Sequence, residues 1–96
     1  MIRHVVVFDV PERQDDELDR LLDQLALVPQ QISEVQAFSC GRSLAGNSSA
    51  AIVADFIDWD SLERYRRHPA HQPSLDLLHQ IATGIRVSDF EVRLQE

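Results

Sequence analysis

The stretch Ile2-Arg3-His4-Val5-Val6-Val7-Phe8-Asp9-Val10 decides the fold. It is rich in Val and Phe and ends at Pro11, so it reads as a strand. Side chains alternate across a strand, which puts His4, Val6 and Phe8 on one face and Val5 and Val7 on the other. Both faces are apolar. A second stretch, Ala50 to Ile57, repeats this excess, with Ile52 and Phe56 opposite Val53 and Ile57. Helices can cover one set only. The other set must meet another sheet, and since the chain has no further strands to offer, a second copy of itself is the expected cover. Scattered exposed valines are the plainer alternative, and two strands with the same excess argue against it.

The remaining elements fall into place around these strands. Asp15-Asp16-Glu17 supplies an acidic first turn, and Leu18, Leu21, Leu22 and Leu25 recur at helical spacing, so a helix is expected to about Val28, where Pro29 ends it. Val35 to Cys40 reads as a second strand. Gly41 and Gly46-Asn47 then frame a loop before the third strand at Ala50. Asp58 or Asp60 can cap the next helix, which presents Leu62 and Tyr65 on one face. Leu75, Leu78, Ile81 and Ala82 continue an apolar face that Thr83-Gly84 should stop. The last strand, Ile85 to Leu94, changes parity between Val87 and Phe90, which suggests a bulge near Ser88-Asp89. The order β-α-β-β-α-β is the α+β, ferredoxin-like split βαβ arrangement: one antiparallel sheet with its helices on one face, here a single domain over residues 1–96.

Composition narrows the function classes. The 96 residues are 44% hydrophobic and 26% charged, an ordinary globular balance, and at this length the core is modest. Nine basic against sixteen acidic residues give a formal charge of -7, which repels phosphate backbones and anionic lipids and so speaks against nucleic acid and membrane partners. Cys40 is the lone cysteine and reads as a buried, inert thiol in a reducing compartment. The apolar run Val5 to Phe8 is too short for a signal peptide core or a membrane span, which leaves the cytoplasm as the expected location. No phosphate loop, nucleophile elbow or cofactor fingerprint is present, so no cofactor is expected.

Titratable rings gather at Tyr65-Arg66-Arg67-His68-Pro69-Ala70-His71, which holds the only tyrosine and two of the four histidines. Pro69 pushes His68 out of the helical region and should break the helix there. A helix restarting at Pro69 or Pro73 points its positive end forward and favours a neutral imidazole, the form a general base needs. Alternatively the histidines satisfy local backbone groups. His68 and His71 are spaced for two metal ligands, but no third is evident and no metal is expected. Arg66 and Arg67 read as a solvated pair, Trp59 as a core or interface anchor, and His79 receives no role.

Three pieces together resemble the stress-responsive dimeric A/B barrel family: Ile2 to Phe8, the run Phe56 through Tyr65 with His68-Pro69-Ala70-His71, and Val87-Ser88-Asp89-Phe90-Glu91-Val92. The resemblance spans essentially the whole chain. It implies a ferredoxin-like protomer whose sheet packs on a partner's to form a dimeric α+β barrel. Some relatives are stress-induced proteins without an assigned reaction, and plant relatives include polyketide cyclases that close a ring by an aldol-type step. Their pocket tyrosine and histidine match Tyr65 and His71, and a further pocket histidine matches His4. This chain departs from many relatives at Gly46-Asn47-Ser48-Ser49, where they carry a Tyr-Thr-His type sequence, and it has no aromatic residue in its first helix. Two functions are carried forward. One is a small-molecule pocket with His71 as base, Tyr65 as hydrogen-bond donor and His4 as wall or second base. The other is a non-catalytic dimer with structural histidines.

Overall fold

A computed structural model describes residues 1–94; the last two residues of the expected domain lie outside it. The strands are β1 (Ile2–Asp9), β2 (Ala37–Arg42), β3 (Ala50–Phe56) and β4 (Thr83–Glu91). They form one antiparallel sheet in the order β2-β3-β1-β4, the ferredoxin-like arrangement. The helices are α1 (Asp15–Ala26), a single short turn α2 (Val28–Gln31), α3 (Trp59–Arg67) and α4 (Gln72–Ile81). Among the described residues, none is long and apolar enough to cross a membrane.

The core lies between sheet and helices, on the face of β1 that carries His4, Val6 and Phe8. Ile52, Ala54 and Phe56 of β3 join them, and Leu18, Leu21 and Leu25 of α1, Leu62 and Tyr65 of α3 and Leu77, Leu78 and Ile81 of α4 close over them. Val5, Val7, Ala51 and Val53 are only half-buried on the opposite face, which none of the described helices covers. On that face Arg3 donates to both oxygens of Asp55, at 2.7 and 3.0 Å, and this pairing holds the Asp55 carboxyl below the usual carboxylate range.

Several boundaries differ from the sequence expectation. Pro29 begins a new turn instead of merely ending α1, because its fixed φ suits the first residues of a helix. Strand β2 lies two residues later than expected and includes Gly41, which pairs with Ala51; the neighbouring ladder carries the glycine through. Thr83 and Gly84 open β4 and do not form a separate stop. Gly84 has φ +60°, and a Cβ there would lie 2.9 Å from an Asp9 carboxylate oxygen, so the site needs glycine twice over. Strand β4 ends at Glu91, short of Leu94, and carries no bulge at Ser88-Asp89. The β1–β4 register shifts only between Val7 and Asp9, opposite the Gly84 kink. The strand alternates regularly here, and only its apolar residues change face: Val87 and Asp89 face the helices, while Phe90 faces the open side.

Candidate functional site

Strand β4 is one edge of the sheet and pairs with β1, while α1 sits over β2 and α3 over β3 and β1. That uneven cover leaves a hollow of about 460 Å³ roofed by α3 and α4, a size suited to a small organic ligand. Its walls are mainly apolar, with Val6 and Ile52 from the sheet, Leu21 and Leu25 from α1, and Leu78 from α4. His4, Tyr65 and His71 meet at one end of it, and Arg66, Ser74 and His79 are further polar groups of the lining.

The local sequence places each of these groups. Asp58 caps α3, its carboxylate accepting from the Ser61 N–H at 2.8 Å, and the helix then turns Leu62 and Tyr65 inward. Pro69 ends α3 as expected, and His68, extended at φ -67° and ψ 131°, accepts the Ala70 N–H on its Nδ1 at 3.1 Å. His68 is thus a backbone cap. The single turn Pro69–His71 swings His71 back over the cavity, so its ring packs on Tyr65 with centroids 4.3 Å apart. Tyr65 also meets Phe56 at 4.9 Å and His4, edge to face, at 6.0 Å. The structure therefore brings His4, Tyr65 and His71 together at one end of one hollow.

Electrostatics separates the two imidazoles. His71 is 7% exposed, and its Nδ1 is buried without a hydrogen-bond partner. Burial first, and then the His4 and His68 charges, lower its protonation to about 4, so it is neutral near pH 7. Burial pushes the Tyr65 phenol up, which keeps its proton available for donation. His4 is held differently: its Nδ1 lies 2.5 Å from Asp89 Oδ1, and the other Asp89 oxygen accepts from Arg66. Arg66 also donates to Glu63 at 3.1 Å, and its guanidinium lies 5.6 Å from the centre of the Trp59 ring.

Asp89 and Arg66 are thus site residues that the sequence did not reveal. Arg66 is exposed, as expected, yet pairs with both Asp89 and Glu63, while Arg67, more exposed still, approaches Glu63 alone. Of the two anchors expected at Trp59, core or interface, the core one is corrected: at 48% exposure the ring lies on the surface of this chain, against Arg66. His79, given no role, lines the cavity. Cys40 is half-buried, its thiol facing the Leu22 carbonyl and pushed up by burial.

Comparison with known proteins places this geometry in context. An uncharacterized protein of Streptomyces coelicolor is 30% identical over 97 residues, covering 95% of this chain and 99% of that protein. A dimeric ferredoxin-like protein of unknown function from Thermobifida fusca superposes with a TM-score of 0.85 at 26% identity, covering 95% of this chain and 90% of that one. The hydroxynitrile lyase of Passiflora edulis superposes with a TM-score of 0.86 over 99% of this chain and 95% of its own, but at 12% identity it shares the fold alone. The family model described as the stress responsive A/B barrel domain matches residues 2–92, nearly the full length, and the chain belongs to that family.

Proposed function

We propose that the hollow binds a neutral, largely apolar carbonyl compound and carries out acid/base chemistry on it, as in the polyketide cyclases the sequence resembles. The observation that carries this reading is the meeting of two imidazoles and a phenol at the polar end of an otherwise apolar cavity of about 460 Å³. A neutral imidazole from His4 or His71 takes a proton from the carbon beside the carbonyl. The Tyr65 phenol donates a hydrogen bond to the oxygen on which charge develops. Side chains suffice for both tasks, and the reading calls on no metal or cofactor. The chain acts as a homodimer, with the face of Val5, Val7 and Val53 against that of a second copy.

The alternative, a non-catalytic stress-response dimer with structural histidines, describes His68, which caps a backbone turn. It fits His71 poorly, because a structural histidine would use its buried Nδ1. The test is hydrogen exchange in heavy water at the α-carbon of 4-phenyl-2-butanone, followed by NMR. Protein should raise exchange above the buffer rate, and Tyr65→Phe should lower that gain by about 10²-fold. Exchange at the buffer rate with saturating ketone, or an unchanged gain in Tyr65→Phe, would refute the reading.

A further inference from the structure

We infer that His4, and not His71, is the base of this pocket, with Asp89 and Arg66 as positioning residues that fix which of its nitrogens carries the proton. The inference rests on the acid/base reading above and assigns its central role. Asp89 stands directly opposite His4 in the β1–β4 ladder and meets its Nδ1 at 2.5 Å. A carboxylate paired with a guanidinium can only accept, so Nδ1 is the donor and, in the neutral ring, Nε2 holds the lone pair. His4 lines the cavity, and Nε2 is the nitrogen that Asp89 leaves free to act there.

The step balances within the pocket. His4 Nε2 takes the α-proton, the carbon–hydrogen bond breaks, and its electron pair moves onto the carbonyl oxygen, which Tyr65 holds by a hydrogen bond. His4 becomes an imidazolium beside Asp89; the enolate returns to neutrality when it takes the proton back, or, where it adds to a second carbonyl carbon, the resulting alkoxide takes that proton from His4. His71 offers neither advantage. Among the described residues no carboxylate stands against it, its Nδ1 is sealed, and its protonation near 4 makes it a weak proton acceptor at neutral pH. The charged and titratable groups facing His4 are Asp89 from β4, Arg66 and Tyr65 from α3, and His71 from the turn after α3.

The wild-type protein labelled with 15N-histidine tests this by long-range proton–nitrogen correlation at about pH 8, where ordinary imidazoles are neutral. His4 should show a protonated Nδ1 and a bare Nε2. In Asp89→Asn, whose amide can donate to Nδ1, the proton should move to Nε2, and Arg66→Gln should give a mixture. In the ketone exchange assay His4→Ala should lose about 10²-fold or more, a larger loss than His71→Phe shows, and the reverse order would overturn the inference. A proton on Nε2 of wild-type His4 would overturn the inference, as would a folded Asp89→Asn variant with the wild-type tautomer. If Asp89→Asn does not fold, the wild-type tautomer decides alone. Absence of ketone exchange altogether would strike the proposed function and leave the tautomer result standing.

Discussion

Acid should destabilise this protein through His71, by an amount the structure sets. The unfolded chain binds a proton on this imidazole near 6.5, whereas burial and the neighbouring histidines lower the folded-state value to about 4. As pH falls, the unfolded chain therefore takes up its proton first, and stability rises with pH between the two values. The contribution is complete above about pH 7 and is lost as pH falls from 6.5 toward 4. At 1.36 kcal/mol per decade the loss is about 2 kcal/mol per chain at pH 5 and about 3 kcal/mol at pH 4. For a domain of this size that is a fall in Tm of about 8–16 °C by pH 5. The assay is thermal unfolding of wild type and His71→Phe at one protein concentration from pH 7.5 to 4, with the difference between the two read against pH. Asp55, Asp58 and Glu34 also stabilise the fold with lowered carboxyls; their contribution begins to fade as pH falls through the ordinary carboxyl range, about 4.5 for Glu34 and about 4 for the aspartates, and is common to both proteins. The difference should thus isolate His71. Parallel curves, with no convergence or crossing as pH falls, would refute the assignment of a buried neutral imidazole.

Val5→Asp and Val53→Asp place a charge on the open sheet face, and each should convert the proposed dimer to monomer or unfold it, because burying an unpaired charge costs several kcal/mol; light scattering after size exclusion reads the mass. Trp59→Ala should cost about 2 kcal/mol, since only about half of the ring is buried, whereas Phe56→Ala, fully buried, should cost about 3–5 kcal/mol; denaturant unfolding of both variants checks the contrast. Gly84→Ala should cost about 1–2 kcal/mol for the left-handed backbone, with the Asp9 contact adding to it, and its Tm should fall accordingly.

The parts of the fold legible in the sequence are those set by local rules. Leucines at helical spacing mark α1, Asp58 marks the start of α3 and Pro69 its end, and each signal lies within a few residues of what it controls. Two apolar faces on β1 and β3 were likewise visible, because alternation is a property of the strand itself. The pocket rings could be named from residue type and placed by the Pro69 break. Asp89 could not, for its partner His4 lies 85 positions away and the pair exists only through the β1–β4 register. The same register explains Arg66, whose length and direction mean little until Asp89 is beside it. A usable signal was present in the parity change of β4: Val87 and Asp89 share one face and Phe90 the other, and a polar residue on the face toward the helices needs a partner.

That parity ties the pocket to the open face of the sheet. Asp89 pairs with His4 on one side of the ladder, and its neighbour Phe90, 44% exposed, sits opposite Arg3 on the other. A slip of one residue would turn Asp89 outward and Phe90 inward, losing the carboxylate behind His4 and the aromatic on the open face together. The connection from α4 makes such a slip a real hazard, because only Ala82 separates the end of α4 at Ile81 from the start of β4 at Thr83. The strand meets this constraint at Gly84, where a positive φ lets it enter out of step, Thr83 opposite Asp9, and take the register that carries Asp89 to His4 from Arg86 onward. The irregularity of β4 thus sits at its entrance, and the ladder through both functional faces is regular for that reason.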